Sequence, residues 1–461
     1  MRSTGNGMWV GFTMTGRSGR ILAIILGAVV ALPALAAGPA KAEHYVLVHA
    51  GTLLAVPGQP PQKNMTVVIH NDRIERVVPG FLPADGVTRA PDSTIDVIDL
   101  SDRFVLPGLI DAHVHLRDQP AFSRHRVERG DRNPHTGAEY AVNAMIYARR
   151  TLGAGFTTVR DVGSDDQSVF AVRNAINQGR VIGPHILVSG SILSVTGGHG
   201  DSQPIDETGD PQARLRDGTC DGPIECREAV RFNYKLGADV IKFTATGGFS
   251  TNEGLGTQLF PDEVQAIIDT AHMLGLKVAV HAYAPTSIKD AIRAGVDSVE
   301  HGFLVDDEGI AMMKKAGTYL VPTLSASYPP PIFRIPDPES VKIRNQYKAF
   351  ERAYKAGVKI AFGTDAGTFD HGTNAKEFGY MVQFGMSPAD AIKAATVGGA
   401  DLLGVSADAG TLAPGKVADL IAVNGDPLSD VATLMHVDFV MKSGKVAKRD
   451  GTMTAPFTQP Q

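Results

Sequence analysis

The stretch Phe104-Val105-Leu106-Pro107-Gly108-Leu109-Ile110-Asp111-Ala112-His113-Val114-His115 is an apolar run that ends in polar residues, and we interpret it as a strand. Because side chains alternate between the faces of a strand, His113 and His115 point the same way and can place two imidazoles on one metal ion. A chance His-x-His pair in a polar loop is the alternative when the pair is taken alone. The rest of the chain decides between these interpretations.

Seven further apolar segments alternate with helical patterns after this run, at residues 157–162, 185–189, 238–243, 277–283, 298–303, 319–324 and 359–363. The eight βα units predict an α/β protein with a (β/α)8 TIM-type barrel, and a doubly wound sheet is the weaker alternative. Glycines that suit helix-to-strand turns fall shortly before several of these strands, namely Gly155, Gly237, Gly275, Gly295, Gly317 and Gly357.

Short strand patterns flank the predicted barrel on both sides. They cover residues 44–54 and 65–78 before it and residues 410–423 and 437–446 after it. We expect both chain ends to build one small β-sandwich domain. The predicted domains are therefore 43–103 and 409–461 for its two parts, the second including a tail, and 104–408 for the barrel.

The first 42 residues have the layout of a secretory signal peptide. They contain four basic residues and no acidic one, and an apolar run over 21–35 precedes the small-x-small site Ala40-Lys41-Ala42. We predict cleavage after Ala42 and an exported protein, periplasmic or secreted. An uncleaved membrane anchor is the alternative, and translation from Met8 or Met14 would shorten the leader.

The charge balance argues against several classes of partner. Removal of the leader would change the net charge from −5 to −9, and no block of consecutive basic residues remains. We therefore expect no binding to nucleic acid and, after signal removal, none to membranes. A small molecule or a peptide is the expected substrate. The cysteines, Cys220 and Cys226, are predicted to form a local disulfide rather than to stay free.

The ends of the predicted strands carry an unusual number of groups that bind metals. Taken singly, each has an ordinary structural explanation, such as a hydrogen-bonded core histidine, an extended lysine stem or a helix cap. Reactive groups of a barrel enzyme lie at the C-terminal ends of its strands, so these residues would converge on one rim. They are His113, His115, Lys242, His281, His301 and Asp365.

These motifs resemble those of the amidohydrolase superfamily over about residues 43–447. The resemblance rests on the residues 108–115, the ligand series from Lys242 to Asp365, and Pro414-Gly415-Lys416-Val417-Ala418-Asp419-Leu420. Segments 194–201 and 242–248 are similar to the binuclear-metal group of exported zinc carboxypeptidases, prolidase-like dipeptidases and ochratoxin-hydrolysing amidases. This resemblance implies the barrel and the small β-domain found independently above.

The resemblance also implies two divalent metal ions per chain. His113, His115 and Asp365 would hold the more buried ion, and His281 and His301 the more exposed one. Lys242 would bridge both as its N6-carboxylated form, because a free ammonium is a poor ligand whereas a carbamate is an anion. Zinc is the expected metal, with manganese, cobalt or iron as alternatives.

A metal-bridging hydroxide would then attack the scissile carbonyl group. Asp365 would move the proton to the leaving nitrogen, and the hydroxyl of Tyr283 would polarise the carbonyl oxygen. His199, in a glycine-rich loop, would bind a substrate carboxylate. Packing of an aromatic ring and a solvated loop histidine are the alternatives for Tyr283 and His199. Arg160 and Asp161 are candidates for supporting contacts or for an ion pair.

The predicted function is cleavage of a peptide or N-acyl amino acid bond by a metal-dependent amidohydrolase that releases a C-terminal amino acid. The expected substrate is a small molecule or dipeptide with a free carboxylate, including an ochratoxin-type amide, and we expect a homo-oligomer. A mononuclear deaminase or cyclic-amide hydrolase is one alternative, and a metal-free assembly protein is a second. His125 and His135 are assigned to an insertion that walls the pocket or meets another subunit.

Overall fold

The structure is a computed structural model that describes residues 43–120, 136–164, 167–201, 216–248, 254–327 and 337–454. The predicted signal peptide and the insertion with His125 and His135 lie outside these ranges. Within them, no helix is both long enough and apolar enough to span a bilayer.

Strands dominate the first part of the described chain, and strands and helices then alternate. The strands are β1 His44–Leu53, β2 Gln62–His70, β3 Arg73–Pro79, β4 Thr94–Pro107, β5 Leu109–Val114, β6 Phe156–Asp161, β7 His185–Val188, β8 Val240–Thr244, β9 Lys277–Ala282, β10 Ser298–His301, β11 Tyr319–Val321, β12 Leu420–Val423, β13 Val437–Lys442, β14 Lys445–Arg449 and β15 Thr452–Met453. The helices are α1 Gly137–Gly153, α2 Ser168–Asn177, α3 Pro223–Leu236, α4 Pro261–Met273, α5 Pro285–Ala294, α6 Asp307–Ala316, α7 Leu324–Ser327, α8 Asp337–Ala356, α9 Lys376–Gln383, α10 Pro388–Lys393 and α11 Gly399–Leu403.

Two sheets of parallel strands carry the candidate site. One has the order β5-β6-β7 and the other β11-β10-β9-β8. Segments outside the strands connect them: Leu193 N–H, after β7, donates to the carbonyl of Lys242 in β8 at 2.9 Å, and Ala112 N–H in β5 donates to the carbonyl of Phe362 at 2.8 Å. Because the strands within each sheet are parallel, their C-terminal ends lie at one edge of that sheet.

Glycine ends several of the helices that lead into these strands. Gly237 follows α3 with φ of 94°, and Gly295 follows α5 with φ of 95°. Left-handed backbone of this kind costs an L side chain energy that glycine avoids. The glycine pattern therefore marks helix ends as predicted, and each chain reversal places the next strand beside its neighbour.

Both chain ends contribute to one eight-stranded mixed sheet with the order β15-β14-β13-β12-β4-β1-β2-β3. Its two halves bury a shared apolar core in which Val48 and Val67 lie with Phe439 and Met441. Both chain ends therefore supply strands to one β unit, as the strand patterns at the two ends suggested. Its strands form one continuous hydrogen-bonded sheet, because β4 pairs with β1 on one edge and with β12 on the other and so joins the halves.

The run 104–115 is divided between two sheets, where the sequence suggested one strand. Phe104–Pro107 completes β4, and β5 begins at Leu109. Gly108 makes the crossing possible, because a Cβ atom there would lie 2.1 Å from Thr157 Oγ1. Its N–H donates to the carbonyl of Asp419, directly before β12 of the eight-stranded sheet, at 3.0 Å. Gly108 is therefore the crossing point between the two parts of the fold.

The predicted strand at 359–363 is not a regular strand. Its only β contact within the described residues is an isolated parallel bridge between Ile360 and Leu320. After it, the backbone turns to a left-handed conformation at Asp365, where φ is 63°. Asp365 N–H nevertheless donates to the carbonyl of His113 at 2.8 Å. The segment thus lies against β5 and brings Asp365 to the end of that strand.

The predicted disulfide between Cys220 and Cys226 is present. It joins the loop before α3 to the first turn of that helix, and both residues are buried. The bond fixes the start of α3 near the loop that carries His199, since Cys220 N–H donates to the carbonyl of Ser194 at 2.8 Å.

Candidate metal centre

Three predicted ligands form a compact group at the end of β5. One ligand atom each from His113, His115 and Asp365 lies within 4.8 Å of the others. The Nε2 atoms of His113 and His115 are 3.5 and 3.2 Å from Asp365 Oδ1. Within the described chain, His113 Nε2 is a buried atom without a hydrogen-bond partner. A buried polar atom of this kind needs a partner, so this group fits a divalent metal.

Glu300 fixes the ring of His113 from behind. Its Oε2 atom lies 2.6 Å from His113 Nδ1, and its Oε1 atom accepts from Arg160 at 2.8 Å and from the Ser298 hydroxyl at 2.5 Å. Burial raises the pKa of Glu300, but Arg160 and His113 outweigh it and hold the pKa well below its usual range. Glu300 is therefore a carboxylate that orients His113 with Nε2 toward Asp365.

The other histidines also use one ring nitrogen on a protein oxygen. His301 Nδ1 lies 2.7 Å from Thr323 Oγ1, His115 Nδ1 3.3 Å from the carbonyl of Gly163, and His281 Nε2 3.2 Å from the carbonyl of Gly247. Such contacts select one tautomer and leave the second nitrogen as an acceptor for a metal.

His281 and His301 lie beside the first group. The ring centroids of His281 and His301 are 4.6 Å apart, and those of His113 and His301 are 5.1 Å apart. Burial lowers the pKa of His281 and of His301 well below the usual value, so both rings are neutral near pH 7. Neutral imidazole is the form that binds a metal.

The pKa values of both Asp365 and Lys242 are lowered at this centre. Burial raises the pKa of Asp365, but the neighbouring His113 and His115 outweigh it and hold the pKa well below the usual range. Lys242 is buried, and this burial lowers its pKa to about 8. Glu300, Asp365 and Asp161 oppose that shift by attracting the ammonium form. Lys242 is thus a lysine that can lose its proton near neutral pH.

Left-handed backbone occurs at three residues around this centre that are not glycine. The φ angles are 69° at His301, 46° at Thr323 and 63° at Asp365. Such a conformation costs a residue with a Cβ about 1–2 kcal/mol. At His301 it breaks the alternation of β10, so that Glu300 and His301 both reach the centre. Hydrogen bonds from neighbouring segments have to offset this strain.

Tyr283 and His199 both lie against His281. The Tyr283 ring meets His281 edge-on at 4.7 Å and stacks on His301 at 5.3 Å, and the His199 ring is 4.4 Å from His281. Burial raises the pKa of Tyr283 well above its usual value, so its hydroxyl keeps the proton. Both side chains therefore stand at the centre, as placed by the sequence analysis.

A cavity of about 240 Å³ opens next to His115 and His199. Arg117 and Asp118 also line it, and Arg117 Nε donates to Asp118 Oδ2 at 2.9 Å. Cationic and anionic groups thus stand together at the mouth of the centre, where a charged small molecule would meet them.

Arg160 and Asp161 do not pair with each other. Arg160 binds Glu300, and Asp161 Oδ2 accepts from the N–H of Leu116 at 2.7 Å. Sequence reasoning missed the roles of Glu300 and Thr323 as partners of ligand histidines. Glu300 precedes His301, which was a usable signal, whereas nothing in the sequence connects Thr323 with a histidine 22 residues away.

The family is decided by comparison with known proteins. The sequence model of the amidohydrolase family matches residues 104–447. The protein belongs to the amidohydrolase family. It is a hydrolase that acts on amide bonds and uses divalent metal, and the resemblance stated from the sequence motifs is confirmed.

Several known proteins are similar to the chain. The ochratoxinase of Aspergillus niger is 32% identical over 435 residues, which cover 88% of this chain and 87% of the fungal protein. A crystal structure of a Xaa-Pro dipeptidase with methionine in its active site has a TM-score of 0.77 and 38% identity, covering 88% of this chain and all of that one. A prolidase complexed with N-methylphosphonate-L-proline has a TM-score of 0.75 and 30% identity, with coverage of 88% and 100%.

Proposed function

We propose that the protein hydrolyses the amide bond of a dipeptide or an N-acyl amino acid and releases the C-terminal amino acid. The observation that carries the proposal is the group His113, His115 and Asp365 with the unpartnered, buried Nε2 atom of His113. His281, His301 and Lys242 lie around it, so the chain offers two sets of ligands in one place.

The relatives support this choice of substrate class. Two of the similar structures hold a methionine or a phosphonate of L-proline, which are amino acids or close analogues. Ochratoxinase extends the class to an ochratoxin-type amide. Methionine and the proline phosphonate each carry a free carboxylate, and we propose that the substrate of this protein carries one next to its scissile amide.

The proposal includes two divalent metal ions, zinc in the first instance, and N6-carboxylated Lys242 between them. Carboxylation requires a neutral amine that attacks CO2, and a pKa of about 8 provides a neutral fraction at pH 7. The amine nitrogen bonds to the carbon of CO2 and gives up one proton to solvent, and the resulting carbamate is an anion that bound divalent cations would stabilise. It also supplies oxygen ligands next to imidazole nitrogens, a combination that suits zinc.

We further propose that the parallel strands close into a (β/α)8 barrel. Support comes from the hydrogen bonds at both junctions of the two sheets, through Leu193 on one side and through Ala112 on the other. In such a barrel the catalytic groups lie at the C-terminal ends of the strands, which agrees with the positions of the proposed ligands.

Divalent metals held by these residues would supply a hydroxide nucleophile at neutral pH and polarise the scissile carbonyl group. Asp365 accepts a proton during the attack and returns it to the leaving nitrogen. Tyr283 donates its hydroxyl hydrogen to the carbonyl oxygen as negative charge develops there. His199 binds the substrate carboxylate from the glycine-rich loop.

The test is to incubate the purified protein with a library of N-acyl amino acids and dipeptides, with and without a chelator. We expect release of amino acids that the chelator abolishes, and the same substrates with an amidated C-terminus should react slowly. D365N should be inactive, with D307N as control because Asp307 is exposed on α6 and pairs with Arg352. Failure to release any amino acid would refute the proposal.

Metal analysis of the same preparation separates the remaining functions. About two metals per chain supports the proposal, about one favours the deaminase or cyclic-amide hydrolase, and none favours the assembly protein. We also propose that the protein is exported, since a disulfide between Cys220 and Cys226 persists in an oxidising compartment. Fractionation of the native host would test the location.

A further inference from the structure

Residues 371–377, which we name the support segment, follow Asp365 closely and contain three buried polar side chains. His371, Asn374 and Glu377 are 4%, 0% and 0% exposed. His371 contacts the backbone of a candidate ligand, whereas Asn374 and Glu377 reach candidate ligands through one intervening residue. Buried polar groups cost energy unless they are hydrogen-bonded, so three in one short segment need an explanation.

His371 contacts the residues that follow β5. Its Nε2 atom lies 3.1 Å from the carbonyl oxygens of both His115 and Asp118. Its ring stacks on Tyr147 at 5.0 Å, which fixes its orientation. The first side chain of the support segment therefore holds the backbone at His115.

Asn374 acts on His113 and Asp365 through Asp111. Its Nδ2 donates to Asp111 Oδ2 at 2.8 Å, and this oxygen also accepts from the Thr364 hydroxyl at 2.7 Å. Asp111 Oδ1 accepts from the backbone N–H groups of His113 and Thr364, both at 3.1 Å. One buried carboxylate thus fixes the backbone at His113 and directly before Asp365.

Glu377 acts on the turn after β11. Its Oε1 accepts from Leu324 N–H at 2.8 Å, and its Oε2 accepts from the N–H and hydroxyl of Ser325 at 2.7 and 2.6 Å. Thr323, directly before this pair, has the strained φ of 46° and places its hydroxyl 2.7 Å from His301 Nδ1. One carboxyl group thus accepts two backbone N–H groups and one hydroxyl, and these bonds hold the turn that carries the Thr323 hydroxyl.

We infer that the support segment positions the ligands of both metal sites, and that Glu377 acts on His301 through Thr323. The inference rests on the proposed function in that it requires two bound metals. Glu377 touches neither metal ligand nor substrate in this arrangement, so it is a positioning residue. Partners of this kind typically change metal affinity 10- to 100-fold when they are lost.

The experiment compares E377Q, T323V and the double variant in full-length protein from which metal has been removed. Co²⁺ is titrated against a chelator, and its visible absorption reports the ligand geometry of each binding step. In E377Q and T323V we expect one step to weaken about tenfold or more and its absorption to change, whereas the step that depends on His113, His115 and Asp365 stays within about threefold. The double variant should be no worse than T323V alone, because both changes break one connection.

E263Q is the matched control. Glu263 is buried, and its two oxygens accept from the backbone N–H groups of Gly222 and Phe260 at 2.6 and 2.7 Å, but it holds no turn beside a proposed ligand. It should lower thermal stability without changing either Co²⁺ step. S325A removes one bond to Glu377 and should weaken the same step less, which preserves the test if E377Q does not fold.

The outcomes separate the two proposals. Wild-type protein that binds fewer than two Co²⁺ ions would refute the proposed function. If the wild type binds two Co²⁺ ions, and if T323V and E377Q, or S325A in place of E377Q, bind both with unchanged affinity, only the positioning role is refuted. The positioning role would also be overturned if E263Q weakened Co²⁺ binding as much as E377Q, or if the effects of E377Q and T323V on Co²⁺ affinity were additive in the double variant.

Discussion

Glu300 Oε2 lies 2.6 Å from His113 Nδ1 in a fully buried contact, and the same carboxylate binds Arg160. Glu300 thus connects the imidazole of His113, a candidate metal ligand, to the buried guanidinium of Arg160. Removal of the Glu300 carboxylate leaves the buried guanidinium of Arg160 without its anionic partner and the His113 ring without its orienting contact, so Glu300 affects both stability and metal binding.

For E300Q we expect a loss of about 3–5 kcal/mol in the free energy of unfolding, since Arg160 stays buried without a carboxylate. Metal affinity should also fall about 10- to 100-fold. Denaturation with urea and chelator competition measure the two effects. R352A, which breaks an exposed pair with Asp307, should cost at most about 1 kcal/mol. A similar cost in both variants would contradict the buried role.

For K242A we expect loss of at least one of the two metals and a fall in kcat/KM of about 1,000-fold or more, because no anion then lies between the ligand sets. Metal content and hydrolysis rates provide the measurement. K355A is the control, since Lys355 forms an exposed pair with Glu351 on α8. Full activity of K242A would refute the bridging role.

The pKa of Lys242 predicts how the metal-free enzyme regains activity. Burial lowers this pKa to about 8, and only the neutral amine reacts with CO2. The neutral fraction is about one half at pH 8 and about one hundredth at pH 6, so reactivation at fixed CO2 should be about 50-fold slower at pH 6 than at pH 8. Stopped samples after addition of metal and bicarbonate give the rate. A rate independent of pH would contradict a carboxylation step.

For Y283F we expect kcat to fall about 10²-fold with little change in KM, because the hydroxyl acts on charge that develops during the reaction. Because the pKa of Tyr283 is raised, its hydroxyl stays protonated at alkaline pH. The alkaline limb of the plot of kcat against pH should therefore be the same in wild type and Y283F. F303L, which changes a ring packed on Tyr283, is the control. An alkaline limb that disappears in Y283F would show that Tyr283 titrates.

For H199N we expect KM to rise about tenfold for substrates with a free carboxylate and to stay constant for their amidated forms. The His199 ring lies 4.4 Å from the His281 ring and lines the cavity, so it is in reach of a bound molecule. Equal increases in KM for both substrate forms would assign His199 to general packing instead.

Local patterns predicted much of the fold. Gly237 and Gly295 fall where helices must end, and apolar runs mark the parallel strands. The crossing at Gly108 was not predicted, because it depends on close approach to Thr157 and on a bond to Asp419, more than 300 residues away. Strand length is therefore decided by partners that a local pattern does not contain.

In the candidate metal centre, too, some residues could be proposed from the sequence and others could not. His113 and Asp365 could be proposed as ligands from the sequence because imidazole and carboxylate groups bind metals and each follows an apolar run, and Lys242 because of the family resemblance. Asn374 and Glu377 could not, since amides and carboxylates are common on surfaces and only the folded chain places them at Asp111 and Ser325. Residues that act on ligands are thus harder to predict than the ligands.

The pairing of β4 has a consequence for the order of synthesis. One edge of β4 pairs with β1, which is synthesised before β4. The other edge pairs with β12, which is synthesised much later and ends at Val423. Until that residue leaves the ribosome, the edge offers unpaired N–H and carbonyl groups to any neighbouring chain. Chains shortened from the C-terminus would keep this edge bare, so premature termination should yield aggregates rather than a partly active enzyme.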